Sequence, residues 1–183
     1  MNHKGTKTIE TQNLLLRKFD VSDYEQMYQN WAGDSQLTQY ASWGVHESKR
    51  TTKKLLEHWQ PKRTNDKIYR WGVEDKASQA LIGEIHVKRI VKKIATCELE
   101  FLFAQSDQRT ELGAEAVRTV THFLFDAVQA ERVQVGIDVE DQANQAILEA
   151  CDYQEEGVQK RGLANNRGIV DRRWFAVVKA NKD

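Results

Sequence analysis

The stretch running from Cys97 to Val128 changes its hydrophobic period partway along, and that change restricts how the chain can fold. Cys97, Leu99, Phe101 and Phe103 alternate with Glu98 and Glu100, the two-residue period of a half-buried strand. A short polar turn follows, and then Leu112, Val117, Val120, Leu124 and Val128 recur at helical spacing, predicting a helix from about Thr110 to Ala130. A strand is thus delivered directly to a helix N-terminus. The first N–H groups of such a helix have no partner within it, and its dipole is positive there, so an anion can be held without a dedicated cation. Glu111 is an anion already placed in that turn. It either faces the ligand site or simply complements its own helix dipole.

The remaining pattern is mixed. Residues 9–17 predict a strand, and Asp20 to Trp31 a helix with Asp20 as N-cap. A second helix is expected from His46 to Trp59, ended by the sole proline, Pro61. Tyr69–Glu74, Leu81–Ile90 and Ile94–Ala104 form a meander with turns at 75–78 and 91–93. After the long helix come a strand through Val133 and Val139, a short helix capped by Asp141, and two strands flanking the Asn165–Gly168 turn. The order β-α-α-β-β-β-α-β-α-β-β makes an α+β domain. Its mostly antiparallel sheet has about seven strands and four flanking helices. Where a hairpin connection gives way to a crossover, two neighbouring strands must splay, and an extended ligand with a phosphate at one end fits that gap.

The chain has 183 residues, 40% of them hydrophobic, and its 27 basic and 27 acidic residues cancel. Such a chain is expected to form one domain over 1–183, with 1–8 and 180–183 as flexible ends. A balanced charge argues against bulk capture of nucleic acid or anionic membrane. The two cysteines lack metal-ligand spacing, the start MNHKGTKT is too polar for a signal peptide, and no apolar run reaches the roughly 20 residues of a membrane span. A cytoplasmic protein with free thiols and no metal is the expectation, and a homodimer stays open.

Motifs along this order give the chain a likeness to a known family. Glu10-Thr11-x-x-Leu14-x-Leu16-Arg17, Tyr40-Ala41-Ser42-Trp43 with Ser48, Ile82-Gly83-x-Ile85 and Glu98-Leu99-x-Phe101 occur in sequence. Arg132-Val133, Leu148-Glu149, Glu156-Gly157 and Asp171 follow them. Together these resemble the RimJ/RimL-type branch of the GNAT superfamily of acetyl-CoA-dependent N-acetyltransferases, from Ile9 to about Val178. The family's Gln/Arg-x-x-Gly-x-Gly/Ala signature falls on Gln108 to Gly113, with Glu111 in place of the middle glycine. Further departures are Asp141 and Asn144 at an Asn-x-x-Ser position, Asp152-Tyr153 at a Gly-Phe position, and Glu100 where the strand usually has glycine.

The resemblance implies a GNAT fold and acetyl transfer from acetyl-CoA to the amine of a protein N-terminus or a small molecule. It places coenzyme binding on Phe103, Ala104, Gln105, Gln108, Arg109, Thr110, Glu111, Leu112, Gly113, Ala114, Asp141 and Asn144. Catalysis falls on Glu98, as general base, and on Asn144, which stands where the branch has a proton-donating serine. The acceptor site is implied at Trp31, Tyr40, Trp43 and Glu100. The departures leave a second reading, a GNAT-fold binding or regulatory protein with weak or no acetyl-CoA binding. Structural readings stand beside these roles. Glu98 can belong to an ion pair, His86 can be a structural histidine rather than a base, and the aromatic residues can be core. The basic runs at Lys49–Lys54 and Lys88–Lys93 read as solvated faces rather than as an RNA surface.

Overall fold

The computed structural model describes residues 1–180. Eight strands form one sheet: β1 (Ile9–Glu10), β2 (Leu14–Arg17), β3 (Arg70–Asp75), β4 (Ala80–Val91), β5 (Thr96–Phe103), β6 (Arg132–Asp138), β7 (Gln154–Asn165) and β8 (Gly168–Val178). Their spatial order is β1-β2-β3-β4-β5-β6-β8-β7, and every neighbouring pair is antiparallel except β5 and β6. The helices are α1 (Tyr24–Met27), α2 (Ser35–Thr38), α3 (Lys49–Trp59), α4 (Arg109–Asp126) and α5 (Gln142–Ala150). The mixed α/β architecture and its mostly antiparallel sheet are those expected.

Local chemistry accounts for the differences in detail. The strand expected over 9–17 is a tight hairpin instead, because Thr11 N–H donates to Leu14 O and the chain folds back between β1 and β2. The first helix begins where expected, with Asp20 and Asp23 forming a reciprocal capping box. It runs through α1 into a π turn at Tyr28–Ala32, closed by Gly33 N–H on Tyr28 O at 2.9 Å. Glycine is required there, since a Cβ at 33 would lie 2.7 Å from the Tyr28 ring. The short α2 had no clear sequence signal beyond Asp34, whose carboxylate caps it. Helix α3 starts after Ser48 rather than at His46, because Ser48 is the N-cap and the buried His46 ring pairs with Thr52 Oγ1 at 2.8 Å. Helix α4 stops at Asp126, with Gln129 in the left-handed region at φ 60° just beyond it.

Apolar residues fill both faces of the sheet. On one side α4 and α5 pack Val117, Val120, Leu124, Ile147 and Leu148 against Trp71, Ile85, Leu99, Phe103 and Val135. On the other, the helices from Asp20 to Trp59 bury Met27, Trp31 and Leu56 against Phe19, Leu81 and Leu102. The first eight residues, expected to be a free end, are tied down along the domain. Asn2 N–H bonds Val128 O, Gly5 N–H bonds Asp66 O, and the Trp71 indole donates to Lys7 O. Of the C-terminal end expected at 180–183, residues 181–183 lie outside the described residues. Among the described residues no helix is long and apolar enough to cross a membrane, and no cluster of three or more His, Cys, Asp or Glu side chains could hold a metal ion.

Candidate functional site

The parallel pairing of β5 with β6 runs from Thr96 opposite Arg132 to Leu99 opposite Val135 and then stops. Past that point each strand keeps its outer partner: β5 stays on β4 as far as Phe103 opposite Gly83, and β6 stays on β8 as far as Asp138 opposite Arg172. The inner edges therefore part. Ala104 N–H donates to Ile82 O at 2.8 Å, and alternate N–H groups along a strand face opposite edges. The N–H groups of Phe101 and Phe103 consequently face the opened edge.

A cleft occupies this gap, with residues 40–43 on one wall and Arg109, Asp141 and Asn144, at the starts of α4 and α5, on another. It continues as a depression past Gln36, Gln105 and Gln142. Polar atoms with unmet bonding capacity border it. Arg109 Nε and Asn144 Oδ1 are buried without partners, although Arg109 Nη1 donates to Gln105 Oε1 at 3.2 Å and Asn144 Nδ2 to Asp141 Oδ2 at 2.8 Å. Asp141 caps α5 by accepting from Asn144 N–H. Burial pushes its carboxyl up to about 6, against the pull of the Asn144 bonds and the Arg109 charge. Arg109 is itself lowered by burial and partly restored by Asp141.

The two strand glutamates share one face, but their surroundings differ. Glu98 is 6% exposed and is held by Arg172 Nη2 at 2.5 Å, away from the cleft lining. Glu100 lines the cleft, accepting from Ser42 Oγ at 2.7 Å and pairing with Lys88 Nζ at 2.7 Å. Burial opposes its ionisation, but the bonds from Lys88 and Ser42 and the Lys88 charge hold it below the ordinary carboxylate range. His86 lies opposite Glu100 on β4, and burial lowers its imidazole to about 3, so the ring is neutral near pH 7.

Tyr40 and Trp43 line the cleft, whereas Trp31 does not. Trp31 is fully buried in the core beneath the first helices, so its expected place in the acceptor site is corrected to packing. The Tyr40 hydroxyl donates to Glu140 O at 3.2 Å, and burial raises its pKa. Across the signature segment, Gln108, Thr110 and Glu111 are exposed in the turn and first helical residues, and the Gln108 side chain makes no cap bond. Phe103, Leu112 and Ala114 have buried side chains in the main core, which leaves only their backbones for a ligand. Gly113 serves packing: a Cβ there would stand 2.8 Å from Ile147 Cδ1 and 3.3 Å from Phe103 Cδ2.

Two features of this site had no signal strong enough to be singled out in the sequence. Glu84, on β4, lines the cleft at 2% exposure, with burial and the neighbouring Glu100 raising its pKa against Arg70, whose Nη1 lies 3.4 Å away. Its two-residue spacing from His86 was the available clue. The tip of the β7–β8 hairpin also reaches the acceptor wall. Asn166 Nδ2 donates to Thr38 O and Trp43 O at 2.8 and 2.9 Å, while Arg167 pairs with Asp138 at 3.1 Å and Glu140 at 2.5 Å. Both cysteines are buried and free, with thiols pushed up to about 11 for Cys97 and about 12 for Cys151, which suits packing rather than nucleophilic chemistry.

Comparison with known proteins adds to this geometry. Residues 13–154 match the acetyltransferase (GNAT) domain. The uncharacterized N-acetyltransferase YoaA of Bacillus subtilis (strain 168) is 22% identical over 171 residues, covering 93% of this chain and 96% of that protein. The crystal structure of ribosomal-protein-S5-alanine acetyltransferase from Vibrio fischeri aligns with a TM-score of 0.77 at 16% identity, over 94% of this chain and 96% of that one. RimL, a ribosomal L7/L12 alpha-N-protein acetyltransferase in complex with coenzyme A, aligns with a TM-score of 0.80 at 16% identity, over 94% and 98%. At such identities the structural likeness shows the fold.

Proposed function

The chain belongs to the acetyltransferase (GNAT) domain family, and we propose that it transfers the acetyl group of acetyl-CoA to an amine carried by a protein N-terminus or a small molecule. The observation that carries this reading is the splayed β5–β6 edge opening beside the starts of α4 and α5, with Arg109 Nε and Asn144 Oδ1 buried and unpartnered there. Buried polar atoms without partners are costly, and a polar ligand in the gap relieves them. The residues present therefore fit a pantetheine and pyrophosphate ligand.

In this reading Arg109, Gln105 and the free N–H groups at the start of α4 hold the phosphates, while Asn144 meets the pantetheine arm. When bound, acetyl-CoA supplies an acyl group activated as a thioester. The Phe101 and Phe103 N–H groups stabilise negative charge on the reacting carbonyl oxygen, a role set by the strand edge rather than by side-chain identity. The acceptor enters past Tyr40 and Trp43, and the cleft carboxylates accept its proton. The Arg172 pair occupies Glu98, which moves this role from Glu98 to the Glu84–Glu100 wall. Asn144 donates its amide hydrogen to Asp141, so it serves as an acceptor in the cleft. Asp141, with its carboxyl near 6, is the neighbouring group able to hold a proton for the departing thiolate.

Calorimetry with acetyl-CoA, together with thiol release in the presence of N-terminal peptides and small amines, tests the proposal. Stoichiometric binding and amine-dependent thiol release are expected. No binding at millimolar acetyl-CoA would sink it, and tight binding without turnover of any amine would favour a binding or regulatory protein.

A further inference from the structure

A second cavity shares no lining residue with the cleft. Lys18 and Phe19 beyond β2, Trp59, Lys62 and Arg63 around the end of α3, and Arg70 at the start of β3 form its wall. That lining holds four cations and no carboxylate. Few of the cationic donors are used. Arg63 Nη1 donates to Gln60 Oε1 at 2.7 Å and contacts the exposed Asp20 at 3.3 Å, Lys62 Nζ lies 2.7 Å from His58 Nε2, and Lys18 Nζ has no partner among the described residues. Aromatic packing orients the remaining cation: the Arg70 guanidinium lies 4.0 Å from the centre of the Trp59 ring, which Phe19 meets edge-on at 5.5 Å.

We propose that this cavity binds a small phosphate-bearing anion. A guanidinium packed over an indole ring loses little freedom when it binds, and its fork of donors matches phosphate oxygens. Lys18, Lys62 and Arg63 supply compact charge around it. On the same face of the sheet Arg70 also reaches the cleft wall, where its Nη1 donates at 3.4 Å to Glu84, whose carboxylate has no other hydrogen-bond partner among the described residues. A phosphate in the cavity therefore competes with Glu84 for one guanidinium. Occupancy of the cavity and the electrostatics of the cleft are joined through that side chain.

The test is a titration of the full chain with inorganic phosphate at constant ionic strength, against chloride, following the Trp59 indole N–H resonance assigned with Trp59→Phe. A saturable shift is expected, weakened about tenfold or more in the Lys18→Ala/Lys62→Ala double variant and unchanged in Arg109→Ala. Glu84→Gln leaves Arg70 without its carboxylate and is expected to tighten the binding. A parallel titration with AMP separates the sources: tighter binding than inorganic phosphate assigns a nucleotide's phosphate, and equal or weaker binding assigns free phosphate. Absence of a saturable shift, weaker binding in Glu84→Gln, or loss of binding in Arg109→Ala but not in the double variant would overturn the proposal. These outcomes are independent of acetyl-CoA binding, so the family reading can stand or fall separately.

Discussion

Arg172 donates from Nη2 to Glu98 Oε1 at 2.5 Å while its guanidinium lies 3.7 Å from the centre of the Trp174 ring. It occupies the space that a side chain at Gly136 would need. The pair thus ties β5 to β8 across β6, at the place where the sheet begins to open. Removing one partner of a buried ion pair leaves the other charge uncompensated, at a cost of about 3–5 kcal/mol in unfavourable cases. Glu98→Gln keeps a hydrogen-bond acceptor, so a loss of about 1–3 kcal/mol is expected in chemical denaturation. The pH profile of acetyl transfer should keep its shape. A profile that lost its acidic limb would return Glu98 to the role of base.

Features determined by near neighbours in sequence were readable in it. Asp20 and Asp141 sit immediately before their helices, and a cap bonds only to the next turn. The alternation of Cys97 to Phe103 likewise places Glu98 and Glu100 together on one face. Which of the two reaches the cleft depends on Arg172, far along the chain, and on the β4–β5 register that sets His86 opposite Glu100. Neither leaves a local mark. Trp31 shows the same limit, since helical spacing cannot say whether an aromatic ring faces a ligand or the opposing sheet.

Gly113 reads in sequence as part of an anion-binding turn, but in the fold it is a contact between α4 and α5. Gly113→Ala would bring a methyl group to 2.8 Å from Ile147 Cδ1 and 3.2 Å from its Cγ1, so the Ile147 side chain must turn or α5 must move. Overpacking of this kind costs about 1–3 kcal/mol. Because α5 carries Asn144 and is capped by Asp141, movement of α5 would also weaken acetyl-CoA binding, whereas a turn of Ile147 alone would cost stability only. Thermal unfolding and calorimetry on the one variant would tell these apart, and a drop in affinity with unchanged stability would instead indicate direct contact with the ligand.

Glu111 is exposed in the first turn of α4. There it complements the helix dipole by about 0.3–1 kcal/mol, and glycine in its place adds a backbone entropy cost of similar size. Glu111→Gly should therefore lower stability slightly. Its effect on acetyl-CoA is a screened repulsion through water, so affinity should rise about two- to threefold and more at low salt than at high. An increase beyond about tenfold would mean that the carboxylate lies against the pyrophosphate.

Asp141 gives the fold a pH dependence of determinate sign. Its native pKa is raised to about 6 from 3.8, chiefly by burial. The folded state therefore holds the proton more tightly than the unfolded chain. The stabilisation from that proton is complete below the unfolded value and is lost as pH rises through about 6. Asp141→Asn keeps an oxygen for the Asn144 N–H and removes the titration. Denaturation at pH 5 and pH 8 should show the native chain losing about 1–3 kcal/mol relative to the variant on going to the higher pH. The same substitution removes an ionisable carboxyl from the cleft, so a limb of the acetyl-transfer profile near pH 6 should disappear with it. A relative stability independent of pH would show that the carboxyl ionises in the folded protein as it does in water, and Asp141 would then have no tightly held proton to offer the thiolate.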